Sequence, residues 1–332
     1  MKKVFYQAIL ILFCLLSCKQ AKNENKKVEI PFNNDEISAP PKTYAEISVK
    51  EGGAWQGREY IGGAFKNVPA VKVPKEHTDH SWYIRYEGPG WESNKVGYRL
   101  YLDWRNAIDI FGKVTEELVL QKVGQDNIDS YHEMNDWGMD ILKAGKSLGI
   151  GSYGRYVNGA VLHFQEVDST YAEVNNSEDQ SSVNIAYSGW KAGNEKIDLA
   201  VNLAIKPDSR ITQATLTPSK AIEGLCTGMV KFDGIPLTKK EGASKNWAYI
   251  ATYGEQTLVP DKLGMAIFYK IGEATLVESE FDHVITFEPG LEQIHYYFLG
   301  AWEKEKNGIS NQADFYAYLD ANLQSLESNN NL

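Results

Sequence analysis

From about residue 45 onward the chain alternates in polarity at period two. SWYIRYEG (81–88) and GYRLYLDW (97–104) do so, and the second half is denser. There AVLHFQEV, STYAEVNN, SSVNIAYSGW, IDLAVNLAI, ITQATLT, WAYIATYG, MAIFYKIG, HVITFEP and IHYYFLGAW follow one another with short Gly, Pro, Asn and Asp turns between them. Alternation at that period sends successive side chains to opposite faces of a sheet. Many short strands so closely spaced leave no room for crossover helices, so the pattern predicts an antiparallel sandwich or barrel rather than a parallel sheet. KPDSR (206–210) predicts a hairpin turn bent by its Pro-Asp pair. Two helices are predicted, one around 135–146 and one at DFYAYLDANLQSL (314–326), where Phe315, Leu319, Leu323 and Leu326 form one stripe. No internal repeat or compositional break divides this region. It reads as one all-β domain over 45–326, two broad curved sheets packed face to face, with a disordered tail at 327–332.

The N-terminus has a different character. Lys2 and Lys3 precede an apolar run, Ala8 to Leu16, too short for a permanent membrane span. The run ends in Leu15-Leu16-Ser17-Cys18, which resembles a bacterial lipobox, and no Ala-x-Ala cleavage site competes with it. Residues 1–18 are therefore expected to be a lipoprotein signal peptide with Cys18 as the lipidated residue. Residues 19–44, rich in Lys, Asn, Glu and Pro, are expected to be a flexible tether. Membrane contact would then run only through the lipid on Cys18. This predicts an outer membrane lipoprotein, and the lack of an acidic stretch after Lys19-Gln20-Ala21 favours the periplasmic face over the cell surface. With Cys14 lost and Cys18 acylated, Cys226 has no disulfide partner, and its GLCTGM setting predicts a buried, inert thiol. A net charge of −10 argues against a nucleic-acid partner.

Residues 131–154, YHEMNDWGMDILKAGKSLGIGSYG, end in a literal G-x-G-x-x-G. A dinucleotide loop needs a strand before that motif and a helix after it. Here a turn at Asn158-Gly159 follows, flanked by strand patterns, so no nucleotide cofactor is expected. Glycines 145, 149, 151 and 154 are expected to give tight backbone at a loop lining a cleft. His132, Asp136 and Asp140 would share a face of a continuous helix and could hold a metal; alternatively, Asp136 caps a helix starting near Trp137. No metal is required, and none is excluded.

In EGPGWESNKVGYRLYLDWRNAIDIFGK (87–113) the alternation puts Arg99, Tyr101 and Asp103 on one face and Tyr98, Leu100 and Leu102 on the other. After a turn at Arg105-Asn106, Asp109, Phe111 and Lys113 share a face again. Such a face is either wet or the floor of a cleft, and the clustered Arg, Tyr and Trp favour a cleft. Arginine pairs bidentately with carboxylate or sulfate. The composition, with eight Trp and nineteen Tyr, is compatible with carbohydrate binding.

The segments GWESNKVGYRLYLDWRNAIDIFGK, YHEMNDWGMDILKAGKSLGIGS and HYYFLGAWEKEKNGI resemble a family of bacterial lipoproteins from polysaccharide-utilisation clusters, first catalogued as a domain of unknown function. A marine member acts as an ulvan oligosaccharide dehydratase. The resemblance covers about residues 45–325. It implies a galactose-mutarotase-like β-supersandwich with a few short helices. It also implies loss of water across C4–C5 of a non-reducing-end uronate in ulvan-type oligosaccharides, leaving a 4,5-unsaturated uronyl end. Other members read Trp-Glu-Asn-Asp where this chain has Trp91-Glu92-Ser93-Asn94, an amide in place of an acid, which argues against a metal at that motif.

This chemistry needs a cation for the carboxylate, a base for the C5 proton and an acid for the departing hydroxyl. The expected assignment has Arg99 clamping the carboxylate with Asn94 or Lys143, His132 as base or acid, and Tyr131 or Tyr101 as the complementary relay. Glu92 and Asp140 would orient these groups or bind hydroxyls, and Trp91 would line the sugar site. Two rival readings share these residues: a non-catalytic glycan-binding lipoprotein, and a uronyl epimerase or mutarotase-like enzyme.

Overall fold

A computed structural model describes residues 40–126 and 129–332. The expected signal peptide, Cys18 and all but the end of the tether lie outside the described residues. From Pro41 to Leu332 the chain is one compact unit. Its strands form antiparallel sheets of six, nine and five strands. One apolar core is shared by all three: Ile47, Trp91 and Tyr98 from the first, Ile185, Leu203 and Phe298 from the second, Tyr153, Met229 and Ile285 from the third. The expected all-β antiparallel sandwich is therefore the fold. Cross-sheet hydrogen bonds fix how the layers meet. Trp91 Nε1 donates to Thr212 Oγ1 at 2.9 Å, and the Tyr98 hydroxyl donates to the Arg210 carbonyl at 2.6 Å.

KPDSR does turn the chain between strands Glu195–Ile205 and Ile211–Pro218. The C-terminal helix runs Gln312–Asn329, capped by the Asn311 side chain, and buries Phe315, Leu319, Leu323 and Leu326. That stripe lies on Trp247, Tyr249, Phe268, Tyr297 and Leu299 of the nine-stranded sheet. The helix outlasts the expected boundary at 326. Asn330 then accepts from Trp247 Nε1 and Asn331 from the Tyr297 hydroxyl, so these last residues are pinned to the sheet rather than a loose tail.

Three local expectations fail. Residues 135–146 contain no helix; Gly138 sits at φ +129°, where helix cannot continue, and Gly138–Asp140 instead pairs as a strand with Ile108–Lys113. Asp136 therefore caps nothing and is exposed. Second, GIGSYG is not a loop at a cleft: it opens the buried strand Ile150–Val157. A Cβ on Gly151 would stand 2.2 Å from the Phe298 ring, so close strand packing explains that glycine. Third, residues 81–88 are not a strand. His80, Trp82, Tyr86 and Glu87 all have positive φ, and a short 3-10 turn covers Arg85–Glu87. Such strain in non-glycine residues costs roughly 1–3 kcal/mol each and persists only where surrounding contacts enforce it.

Those contacts come from two sources. Arg85 is buried and pairs with buried Glu46, which also accepts from the Tyr86 hydroxyl. The strand that carries Glu46 continues into a hairpin arm, Thr43–Gln56 with Glu59–Val68, whose distal half is largely exposed and is the second source. Arg58 near its tip donates to the Asp79 carbonyl (2.8 Å) and carboxylate (2.5 Å), and the Tyr60 amide donates to the Ser81 carbonyl (2.7 Å).

Candidate active site

Strands Val96–Leu100 and Ile108–Lys113 are direct neighbours, with Arg99 opposite Asp109. The alternation read from the sequence holds here, and the two side chains meet on the face away from Tyr98 and Leu100. Arg99 is 1% exposed. Its Nη2 donates to Asp140 (2.7 Å), Asp109 (3.0 Å) and the Tyr101 hydroxyl (2.9 Å), while Nη1 donates to the Tyr131 hydroxyl (3.0 Å). Tyr101 in turn donates to Asp109. The structure thus brings together Arg99, Tyr101, Tyr131, His132 and Asp140, five of the residues selected from sequence.

His132 ends the 3-10 turn Ser130–His132 and reaches Asp140 through Nε2 at 3.2 Å. Helical spacing does not bring them together; the strand carrying Asp140 does. The imidazole is 38% exposed, whereas Asp140 is fully buried. The hydrogen bond to Asp140 raises the His132 pKa above its ordinary 6.5, against partial burial and the Arg99 charge. With Nε2–H given to Asp140, Nδ1 keeps its lone pair. Burial drives the Tyr101 and Tyr131 hydroxyls well up, so both stay protonated. Asp109 is pushed up to about 6 by burial and by Asp140, against the pull of Arg99.

The strained segment supplies the rim. Glu87 lies 3.7 Å from Arg99 Nη1 and 2.8 Å from Arg105 Nη2, and it accepts from the His80 amide at 2.7 Å. Arg105 stacks over the Tyr101 ring at 3.9 Å. The exposed His80 imidazole lies 3.7 Å from Asp129, whose carboxylate accepts from the Tyr131 hydroxyl at 3.1 Å. None of His80, Glu87, Arg105 and Asp129 was selected as a site residue. Positive φ in a Trp or Glu leaves no signature in sequence. Among the described residues no cluster of three metal-ligating side chains occurs.

Five expected roles change. Arg99 is enclosed by carboxylates and phenols, so its guanidinium organises the site from beneath and is not an open clamp. Glu92 is fully buried, paired with Lys113 Nζ at 2.7 Å and accepting the Val119 and Leu120 amides. Trp91 is in the core. Asn94 exchanges two hydrogen bonds with Asp208 of the KPDSR turn. These three hold the fold and face no cleft. Lys143 is exposed, and neither it nor Asn94 is among the hydrogen-bond and charge partners of Arg99 given above.

The molecule is thus an antiparallel β-sandwich with a buried charge cluster that opens to solvent at one histidine. The chain belongs to the family described as domain of unknown function DUF4861, whose model matches residues 12–330. No curated protein matches it. Among solved structures, a 4-alpha-glucanotransferase from Thermococcus litoralis is similar over 70% of this chain and 39% of its own, at 9% identity and a TM-score of 0.31. The chain thus spans well under half of that enzyme's length.

Proposed function

We propose that this protein is a carbohydrate-active hydro-lyase that removes water across C4–C5 of a non-reducing-end uronate in ulvan-type oligosaccharides. The observation that carries the reading is the partly exposed His132 imidazole set on buried Asp140, with the protonated phenols of Tyr101 and Tyr131 on the same guanidinium. Environments that push pKa values apart assign the roles. His132, its pKa raised by Asp140, is the base, and its Nδ1 takes the C5 proton. The released electron pair forms C4=C5 as the C4–O bond breaks. The departing hydroxyl leaves as water with a proton from a phenol; Tyr131, whose ring lies 4.6 Å from that of His132, is the nearer donor. Arg99 supplies the positive field beneath the developing enolate, and Arg105 stands at the rim. No cofactor enters this scheme. The resemblance of the three motif segments to the ulvan dehydratase family supports the substrate class, and the lipobox-like Leu15-Leu16-Ser17-Cys18 supports an outer membrane location.

The test is incubation with oligosaccharides ending in a saturated uronate, read by ultraviolet absorbance of the conjugated alkene and by mass loss of one water. His132→Ala is expected to lower the rate about a hundredfold or more while the fold persists. Product formed at the wild-type rate by that variant would defeat the assignment. Binding without product would favour a glycan-binding protein, and exchange at C5 without an alkene an epimerase.

A further inference from the structure

Trp104 is the one tryptophan among the described residues with an exposed side chain, at 43%. Its indole has no ring contact and no hydrogen bond, yet the turn beneath it is tightly held. The Asp103 carboxylate accepts the Arg105 amide at 2.9 Å, and the Trp104 carbonyl accepts the Phe164 amide at 3.1 Å. His163 Nδ1 lies 2.7 Å from the Arg105 carbonyl. Next comes Asn106, buried at φ +46°, whose side chain donates to the Tyr153 carbonyl (3.2 Å) and accepts from the Tyr187 hydroxyl (2.6 Å). An isolated exposed apolar side chain needs no explanation. One raised on a turn fixed from several directions is a pre-organised platform, which lowers the ordering cost of binding.

The surroundings name the ligand. Trp104 borders two hollows. One, of about 300 Å³, is lined also by Arg105, Lys146, His163 and Phe281. The other, of about 330 Å³, is lined also by His77, Asp103, Gln165 and Thr170. Each thus combines apolar surface with several polar groups, as ligand sites do. The next residue, Arg105, stacks on Tyr101 and pairs with Glu87, so one turn carries both the indole and the rim of the Arg99–His132 cluster. A pyranose has an apolar face of axial C–H groups and a rim of hydroxyls, which suits an indole flanked by polar hollows.

We propose that Trp104 is the floor of a second sugar subsite, on which the pyranose adjoining the reacting uronate stacks. The identity of the reacting sugar rests on the function proposed above; the stacking site does not. The ligand class is accordingly an oligosaccharide of at least two rings, and a lone uronate lacks half of the contacts.

The experiment uses the full chain, with Trp104→Ala and Trp104→Phe beside the wild type. Two probes are titrated calorimetrically, a tetrasaccharide ending in a saturated glucuronate and methyl glucuronide, and the alkene is followed in parallel. Trp104→Ala is expected to lower the tetrasaccharide preference over methyl glucuronide about tenfold, and Trp104→Phe to recover most of it. Identical tetrasaccharide affinity in all three proteins would overturn the subsite, as would failure of the wild type to bind the tetrasaccharide. Trp104-dependent binding with no alkene would leave the subsite standing and remove the dehydration reading.

Discussion

Two buried charge clusters share one strand, and they differ in kind. Asp109 and Lys113 lie on the same face of Ile108–Lys113, with Phe111 between them. At the Lys113 end every charge is closed off: Glu92 meets the ammonium and two backbone amides, and Lys113 also donates to the Ser93 carbonyl. At the Asp109 end the accounts stay open. Arg99 Nε and Asp109 Oδ1 are buried without partners among the described residues, and His132 faces solvent. A saturated pair in an apolar setting fixes geometry and does little else. Unspent hydrogen-bonding capacity beside a titratable, accessible group is what chemistry requires. Clustered polar residues alone therefore do not mark a site; what matters is whether their valences are already used.

That contrast can be broken at either end. The largest effect is expected at the closed one: Glu92→Ala strands a buried ammonium and should cost about 3–5 kcal/mol of unfolding free energy. Denaturant melts would measure this, and the surviving folded fraction should keep its turnover number. A catalytic loss exceeding the folding loss would show that the closed pair is not merely structural.

At the open end, Asp140→Asn tests the imidazole. A base must be deprotonated, so the acid limb of the wild-type rate profile should fall above 6.5, where Asp140 holds the His132 pKa. Without that hydrogen bond, burial and Arg99 both act to lower it, and the limb should move to lower pH. The sign for stability is the reverse. The histidine's raised pKa contributes stability that is fully present below about pH 6.5 and is lost as pH rises through the folded-state value. In Asp140→Asn this pH dependence should flatten. A limb that stayed in place would remove His132 from the proton transfer.

The smallest effect belongs to Asn94, reassigned here from ligand to scaffold. Asn94→Ala should cost about 1 kcal/mol through its lost bonds to Asp208 and leave the Michaelis constant unaltered. A raised Michaelis constant would return it to the site.

The parts legible in the sequence were those governed by periodicity. Alternation gave the sheet face with Arg99, Tyr101 and Asp109, and the stripe of Phe315, Leu319, Leu323 and Leu326 gave the C-terminal helix. Saturation was not legible. Glu92 looked like a ligand because its partners, Lys113 and the Val119 and Leu120 amides, are brought to it by folding. The strained run from His80 to Glu87 mimicked a strand in its polarity while its backbone turned elsewhere. His132 and Asp140 met as expected, though through a turn and a strand instead of a helix.

The arm formed by Thr43–Gln56 and Glu59–Val68 makes the rim of the site dependent on the most solvated part of the sheet. Its distal half is an accessible substrate for a protease, and backbone exposed on both sides opens at little free-energy expense. Cutting it would release Asp79 and Ser81 from Arg58 and Tyr60 and let His80 relax, while the sandwich core stayed intact. A trimmed molecule would keep its core while losing the support of its rim, so intactness of the arm is the quality to assay alongside activity.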